Sequence, residues 1–292
     1  NKHIIYVWLD ALTNYISALE YPNKDSQKWK SFWPADIHVV GKDILRFHAV
    51  YWPAFLMAAE IELPKKVYAH GWWTVEGKKM SKSTGNVISP DVIIDKYGLD
   101  QFKYFLLREV RLGQDGDFSE EALVKRVNSD LANDYGNLSQ RVLSFIYKNN
   151  EGIIPSKGDL TQEDQKLIEN MNLAKDNILN YMLNYQITNA LEEIWIIISK
   201  SNTYIDEQAP WTLKKTDLNR MNTVLYVLCT IIKNISLIAI NFIPIGANKI
   251  LDQLAISKDM RMYKNYNDEL ISGTKLYKPE GVFPRLEIKE KL

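Results

Sequence analysis

From about residue 120 onward the sequence keeps a single hydrophobic period. Leu123, Val127, Leu131, Tyr135, Leu138, Val142 and Phe145 recur at spacings of three and four, which marks one buried face of an α-helix. Three more stripes follow: Leu167, Met171, Ile178 and Met182; Leu191, Ile194, Ile198 and Ile205; and Val224, Leu228, Ile231, Ile235 and Ile238. Thr161 and Asp164 have the spacing of a capping box at the start of the second stripe, and Pro210 in "EQAPW" stops the third. Amphipathic helices with short joints bury their stripes against one another, so the spacing predicts a helical bundle.

The first third reads differently. "IIYVWLD" and "DIHVVG" are β-branched apolar runs, "KDILRFHAVYWPAFLMAAE" has helical periodicity, and "KVYAHGWWTVEG" returns to strand character. Strand, helix, strand in that order predicts a parallel α/β sheet with ligands at the carboxyl ends of its strands. "GQDGDFS", 113–119, is a Gly/Asp-rich break. The expected organisation is therefore α/β over 1–117, all-α over 118–270, and a tail over 271–292 whose Val282, Phe283 and Leu286 need a partner surface.

Composition closes off several classes of function. Acidic and basic residues balance at 36 each, so any nucleic-acid contact comes from local patches. The single cysteine, Cys229, leaves neither an internal disulfide nor a Cys-based zinc site within the chain, and His3, His38, His48 and His70 lack metal-ligand spacing. A cytoplasmic location is expected. Residues 223–247 are apolar enough to raise the question of a membrane span, but Lys233 and Asn234 sit at their centre. A central lysine costs roughly 2.5–3.5 kcal/mol in a bilayer, so a buried bundle helix is expected and no membrane partner. Asn1 opens directly on an apolar run, which reads as a fragment beginning within a domain.

"GKKMSKSTGN", 77–86, has three lysines between glycines and no acid. It is not a Walker A loop, because the glycine before the lysine is missing. Such a loop offers mobile ammonium groups rather than a rigid backbone cradle, which suits charge building on departing phosphate oxygens. Lys79-Met80-Ser81-Lys82-Ser83 spells the KMSKS signature, and on it the chain resembles the class I aminoacyl-tRNA synthetases. "YVWLDALTNY", "GKDILRFHAVYWPA", "YGNLSQR", "EQAPW" and "VFPRLE" extend that resemblance to the methionyl-tRNA synthetases over nearly the whole chain.

The resemblance implies the second half of a Rossmann-like catalytic domain followed by an anticodon-binding helical bundle, with the tail returning across the catalytic domain. It implies ATP-dependent adenylation of L-methionine and transfer to tRNA-Met, with Mg2+ accompanying ATP. Lys82 and Lys79 would be catalytic, with Ser81, Ser83, Gly41 and Asp43 also holding ATP. Trp8, Ala11, Leu12, Tyr15, Ile44 and His48 would contact methionine, with Trp52 packed behind them. Asn137, Arg141 and Trp211 would read the anticodon. Many members have Pro where this chain has Leu12.

The chain departs from the family in carrying no His-x-Gly-His motif, no zinc-bearing insertion and no acid for the amino group of methionine. It is therefore expected to be a carboxy-terminal portion that is inactive alone. Two alternatives stay open: a class I synthetase for isoleucine, leucine, valine or cysteine, and a non-catalytic tRNA-binding protein derived from such an enzyme.

Overall fold

The computed structural model describes residues 7–75, 77–80 and 87–288. The chain divides into two compact units, one formed by 1–74 with 112–117, the other by 75–111 with 118–292.

In the first unit α1 (Trp8–Ser17) and α2 (Gln27–Phe32) precede β1 (His38–Gly41), and α3 (Trp52–Ala58) precedes β2 (Val67–His70). Trp8–Asp10, expected as the end of a strand, open α1 instead. Leu12 and Ile16, one turn apart, bury one face of this helix, and that i, i+4 burial outweighs the β-branched and aromatic composition of the segment before it. β1 and β2 pair in parallel, with His38 opposite Val67 and Gly41 opposite His70, as the strand–helix–strand order requires. The core gathers Leu12, Ile16, Trp29, Trp33, Trp52, Leu56 and Ile61. Trp33 donates its indole N–H to the Glu62 carbonyl at 3.0 Å, so this large ring is buried without an orphaned donor.

Between β1 and α3 the backbone makes a 3₁₀ turn (Lys42–Ile44) and then a π-turn (Phe47–Tyr51). Pro53, two residues beyond it, has no N–H to give the Ala49 carbonyl, which loosens the ladder there and admits the wider turn.

β3 (Trp73–Val75) is followed by the short β4 (Lys78–Lys79), α4 (Pro90–Tyr97), α5 (Leu99–Glu109) and β5 (Gly116–Phe118). Gly71 lets the 71–72 and 114–116 segments meet, since a Cβ there would lie 2.1 Å from the Gln114 carbonyl oxygen. Asp115 accepts the Trp72 backbone N–H at 2.9 Å.

The second unit is built on helices. α6 (Glu120–Arg126), a π-helical stretch (Val127–Gly136) and α7 (Asn137–Asn149) run on from one another. α8 (Gln162–Leu183), α9 (Ile187–Gln208), α10 (Pro210–Thr216), α11 (Leu218–Ala239) and α12 (Pro244–Gln253) follow. Most of the stripes read from the sequence are inside, with Leu123, Val127, Leu131, Tyr135, Leu138 and Val142 all at most 1% exposed, whereas Phe145 is half-buried and Met182 is exposed. α11 is the one helix among the described residues long and apolar enough to cross a membrane, and 89% of its apolar window is buried within the protein. Lys233 at its centre donates to the carbonyls of Tyr266 (3.2 Å) and Asp268. Burial pulls the pKa of this ammonium down.

The described part of the tail packs within this unit. The Asn128 side chain clasps Leu286, accepting its N–H at 2.7 Å and donating to its carbonyl at 2.9 Å. Arg285 donates to Asn133 at 2.7 Å. The Phe283 ring fills a notch that only glycine leaves open, because a Cβ on Gly246 would come within 2.1 Å of it.

Asp164 is fully buried at the start of α8. It accepts both terminal nitrogens of Arg220, at 2.5 and 2.8 Å, the Tyr204 hydroxyl, and the Thr161 N–H at 2.9 Å. Burial alone would raise this carboxyl's pKa, but the Arg220 fork, the hydroxyl and the N–H together carry it below the usual carboxylate range. A carboxyl whose folded pKa is depressed contributes stability above its unfolded pKa, about 3.9, and loses it as pH falls through the folded value. Asp164→Asn is accordingly expected to lower stability at neutral pH and to flatten the acid limb below about pH 4. Urea midpoints measured from pH 2 to 7 check this, and an unchanged acid limb would contradict it.

Candidate active site

Tyr15 on α1 and His48 on the π-turn meet across the first unit. The tyrosine hydroxyl lies 2.9 Å from His48 Nε2, and His48 Nδ1 lies 3.0 Å from the Ile44 carbonyl oxygen. A carbonyl only accepts, so in the neutral ring Nδ1 carries the hydrogen and Nε2 accepts from Tyr15. Burial raises the Tyr15 pKa, which keeps the phenol protonated as that donor. His48 is 2% exposed, while the tyrosine is 37% exposed.

Other rings complete the cluster. Trp8 stacks on Phe47 with centroids 3.9 Å apart. Trp52, 1% exposed, lies 6.1 Å from Tyr15 and edge-on to Trp33 at 6.4 Å. The structure thus brings Trp8, Tyr15, Ile44 and His48 into one neighbourhood. Leu12 is buried in the core beneath, and Ala11 is exposed on α1.

Sequence reasoning missed His38. Its ring lies 4.3 Å from Tyr15 and 6.1 Å from His48. Burial, then repulsion from His48, lowers its pKa and favours the neutral ring. The signal was the alternation in "HVVG", which puts His38 and Val40 inside and Val39 outside. His38 Nε2 and the Trp52 indole N–H are both buried without a protein partner among the described residues.

Gly41 and Asp43 sit where β1 gives way to the 3₁₀ turn. A Cβ on Gly41 would lie 2.5 Å from Asp43 Oδ1, so glycine lets the carboxylate fold back over the strand end. Between them Lys42 pairs with Asp115 at 2.5 Å and lies 4.2 Å from the Trp72 ring centre. Ser81, Lys82 and Ser83 lie outside the described residues, as does the Lys79 side chain. Among the described residues no group of three or more His, Cys, Asp or Glu is placed to hold a metal ion.

In the helical unit, Asn137 and Arg141 stand one turn apart on α7. Arg141 pairs with Asp206 at 2.5 Å, and its guanidinium carbon lies 5.6 Å from the Trp211 ring centre. Trp211 on α10 is 43% exposed. Beside Asn137 an open groove of about 490 Å³ is lined by Asn133, Gln140, Phe283 and Arg285. Planar cations and rings that face solvent are what stacking on an unpaired base uses.

If the hydrogen bond runs as its partners require, [15N]histidine spectra should identify His48 as the Nδ1–H tautomer. Tyr15→Phe should move the Nε2 signal and destabilise the fold by about 1–3 kcal/mol, because a buried acceptor loses its donor. A wild-type ring bearing its hydrogen on Nε2 would contradict the assignment.

Two family models match the chain: "tRNA synthetases class I (M)" over residues 1–143 and "Anticodon binding domain of methionyl tRNA ligase" over 154–291. The Rickettsia felis methionine–tRNA ligase is 52% identical over 98% of this chain and 57% of its own length, and that of Brucella suis is 48% identical over 97% and 55%. The Mycobacterium tuberculosis methionyl-tRNA synthetase in complex with methionyl-adenylate superposes with a TM-score of 0.93 at 44% identity, over 97% of this chain and 56% of that one. Its apo form gives 0.91 at 41% identity, over 98% and 57%. The chain therefore spans just over half the length of the relatives it matches.

Proposed function

The chain belongs to the methionyl-tRNA synthetases of class I, and from that premise we propose that it supplies part of the active site and the anticodon-binding surface of a methionine–tRNA ligase. The reaction joins the methionine carboxylate to the α-phosphate of ATP with loss of pyrophosphate, then passes the acyl group to a terminal ribose hydroxyl of tRNA-Met. Magnesium enters with the ATP phosphates as part of the nucleotide substrate. The work is expected to take place in the cytoplasm.

The observation that carries this reading is the Tyr15–His48 pair within a ring-lined neighbourhood. An unbranched thioether is flexible and polarizable and packs favourably against aromatic edges. Trp8, Tyr15, His38 and His48 supply such edges, together with polar atoms, where a site for isoleucine, leucine or valine needs only aliphatic walls. Gly41 and Asp43 would hold the nucleotide ribose. Lys79 and Lys82 would meet the charge that grows on pyrophosphate as it leaves, an electrostatic contribution. Asn137, Arg141 and Trp211 would take the anticodon by stacking and edge hydrogen bonds.

ATP–pyrophosphate exchange by the full-length gene product tests this, with methionine run against isoleucine, leucine, valine and cysteine. Exchange is expected with methionine alone, and Lys82→Ala should reduce it by about 100-fold or more. Exchange driven by another amino acid would discard the pocket assignment. Exchange with none of them would leave the RNA-binding alternative.

A further inference from the structure

Trp211 owes its direction to a single corner. α9 ends at Gln208, the chain turns through Ala209 at φ +42°, and α10 begins at Pro210 with Trp211 next. Alanine is disfavoured in this left-handed conformation, so the corner persists only because its surroundings hold it.

They hold it through Arg220. One terminal nitrogen of its guanidinium, Nη2, donates to Gln208 Oε1 at 2.6 Å and to Asp164 Oδ1 at 2.8 Å, while Nη1 donates to Asp164 Oδ2 at 2.5 Å. Its own backbone N–H caps α11 on Asp217 at 2.9 Å. The start of α8, the end of α9 and the start of α11 therefore converge on one planar, rigid donor fork. Asp164 and Tyr204 are buried and hydrogen-bonded to each other. Gln208 carries the geometry outward to the corner, beside the Ala209 N–H, which donates to the Ile205 carbonyl at 3.0 Å, and the buried Pro210.

We propose that Arg220, acting through Gln208, is a positioning residue that sets the angle at which the bundle offers the Trp211 ring to an unstacked RNA base. Arg141, 5.6 Å from the ring centre, gives a second plane beside it. A base stacks well only when the platform is already oriented before it arrives, which is what a buried ion pair coupled to the corner provides. The proposal rests on the anticodon-binding reading given above.

The test uses the 292-residue chain and a fluorescein-labelled anticodon stem–loop with the loop sequence CAU, read by fluorescence anisotropy. A second stem–loop with those three bases replaced is the comparison. Gln208→Met removes the link and leaves the Asp164–Arg220 pair intact. It should weaken binding of the CAU loop about 3- to 10-fold, a part of the effect of losing a stacked base, with no change for the replaced loop and no fall in Tm. Gln208→Glu, which keeps an acceptor for Arg220, should restore tight binding. Equal weakening for both RNAs, or no weakening at all, would overturn the proposal, as would failure of the glutamate variant to restore binding. Trp211→Ala is measured alongside. If it weakens CAU binding and Gln208→Met does not, the positioning role alone falls. If Trp211→Ala also leaves binding unchanged, the anticodon reading falls with it.

Discussion

The buried indole of Trp52 is the constraint on which the first unit turns. It meets Trp33 edge-on in the core and Tyr15 on the side of the candidate site. One ring is thus shared between the packing that stabilises the unit and the surface proposed to take methionine. Trp52 also follows directly on the π-turn that carries the buried His48. The Tyr15–His48 hydrogen bond therefore comes from core packing, a loosened turn before Pro53 and the buried stripe of α1 acting together.

The helical unit handles its polar groups by the same logic. Lys233 and Asp164 are both buried, and both are satisfied by partners from elsewhere in the sequence. Lys233 ties α11 to the 266–268 segment, and Asp164 gathers the ends of three helices. Breaking either contact would strand a charge or a set of carbonyls in a low-dielectric interior, which costs far more than the contact contributes when intact. Such groups specify one arrangement of helix ends. A surface proposed to present Asn137, Arg141 and Trp211 in fixed relation would need that.

Much of this was legible in the sequence, and the exceptions have physical causes. The long helices were readable because their stripes repeat over many turns, and β1 with β2 because strand, helix and strand follow in order. α1 was misread because β-branched and aromatic residues precede it, while only two residues, Leu12 and Ile16, report its helical burial. The short α10 and α12 offer too few turns for a period to register. His48 and Tyr15 came from resemblance, and their hydrogen bond depends on a π-turn that no local period announces. His38 was passed over because a lone histidine in a strand looks like any inward residue until its neighbours are known. The apolar residues of the tail were expected to need a partner surface, and Phe283 has one in the notch left by Gly246. No feature of residues 127–136 explains in advance why that stretch is π-helical.

The central claim is that a methionine thioether lies among these rings, and NMR of [methyl-13C]methionine bound to the full-length gene product tests it most directly. The account predicts a methyl signal shifted upfield by ring currents, with cross-relaxation to the Tyr15 and Trp8 rings that isoleucine neither reproduces nor abolishes by competition. A bound methyl that feels no ring, or an isoleucine methyl that takes the same place, would contradict it.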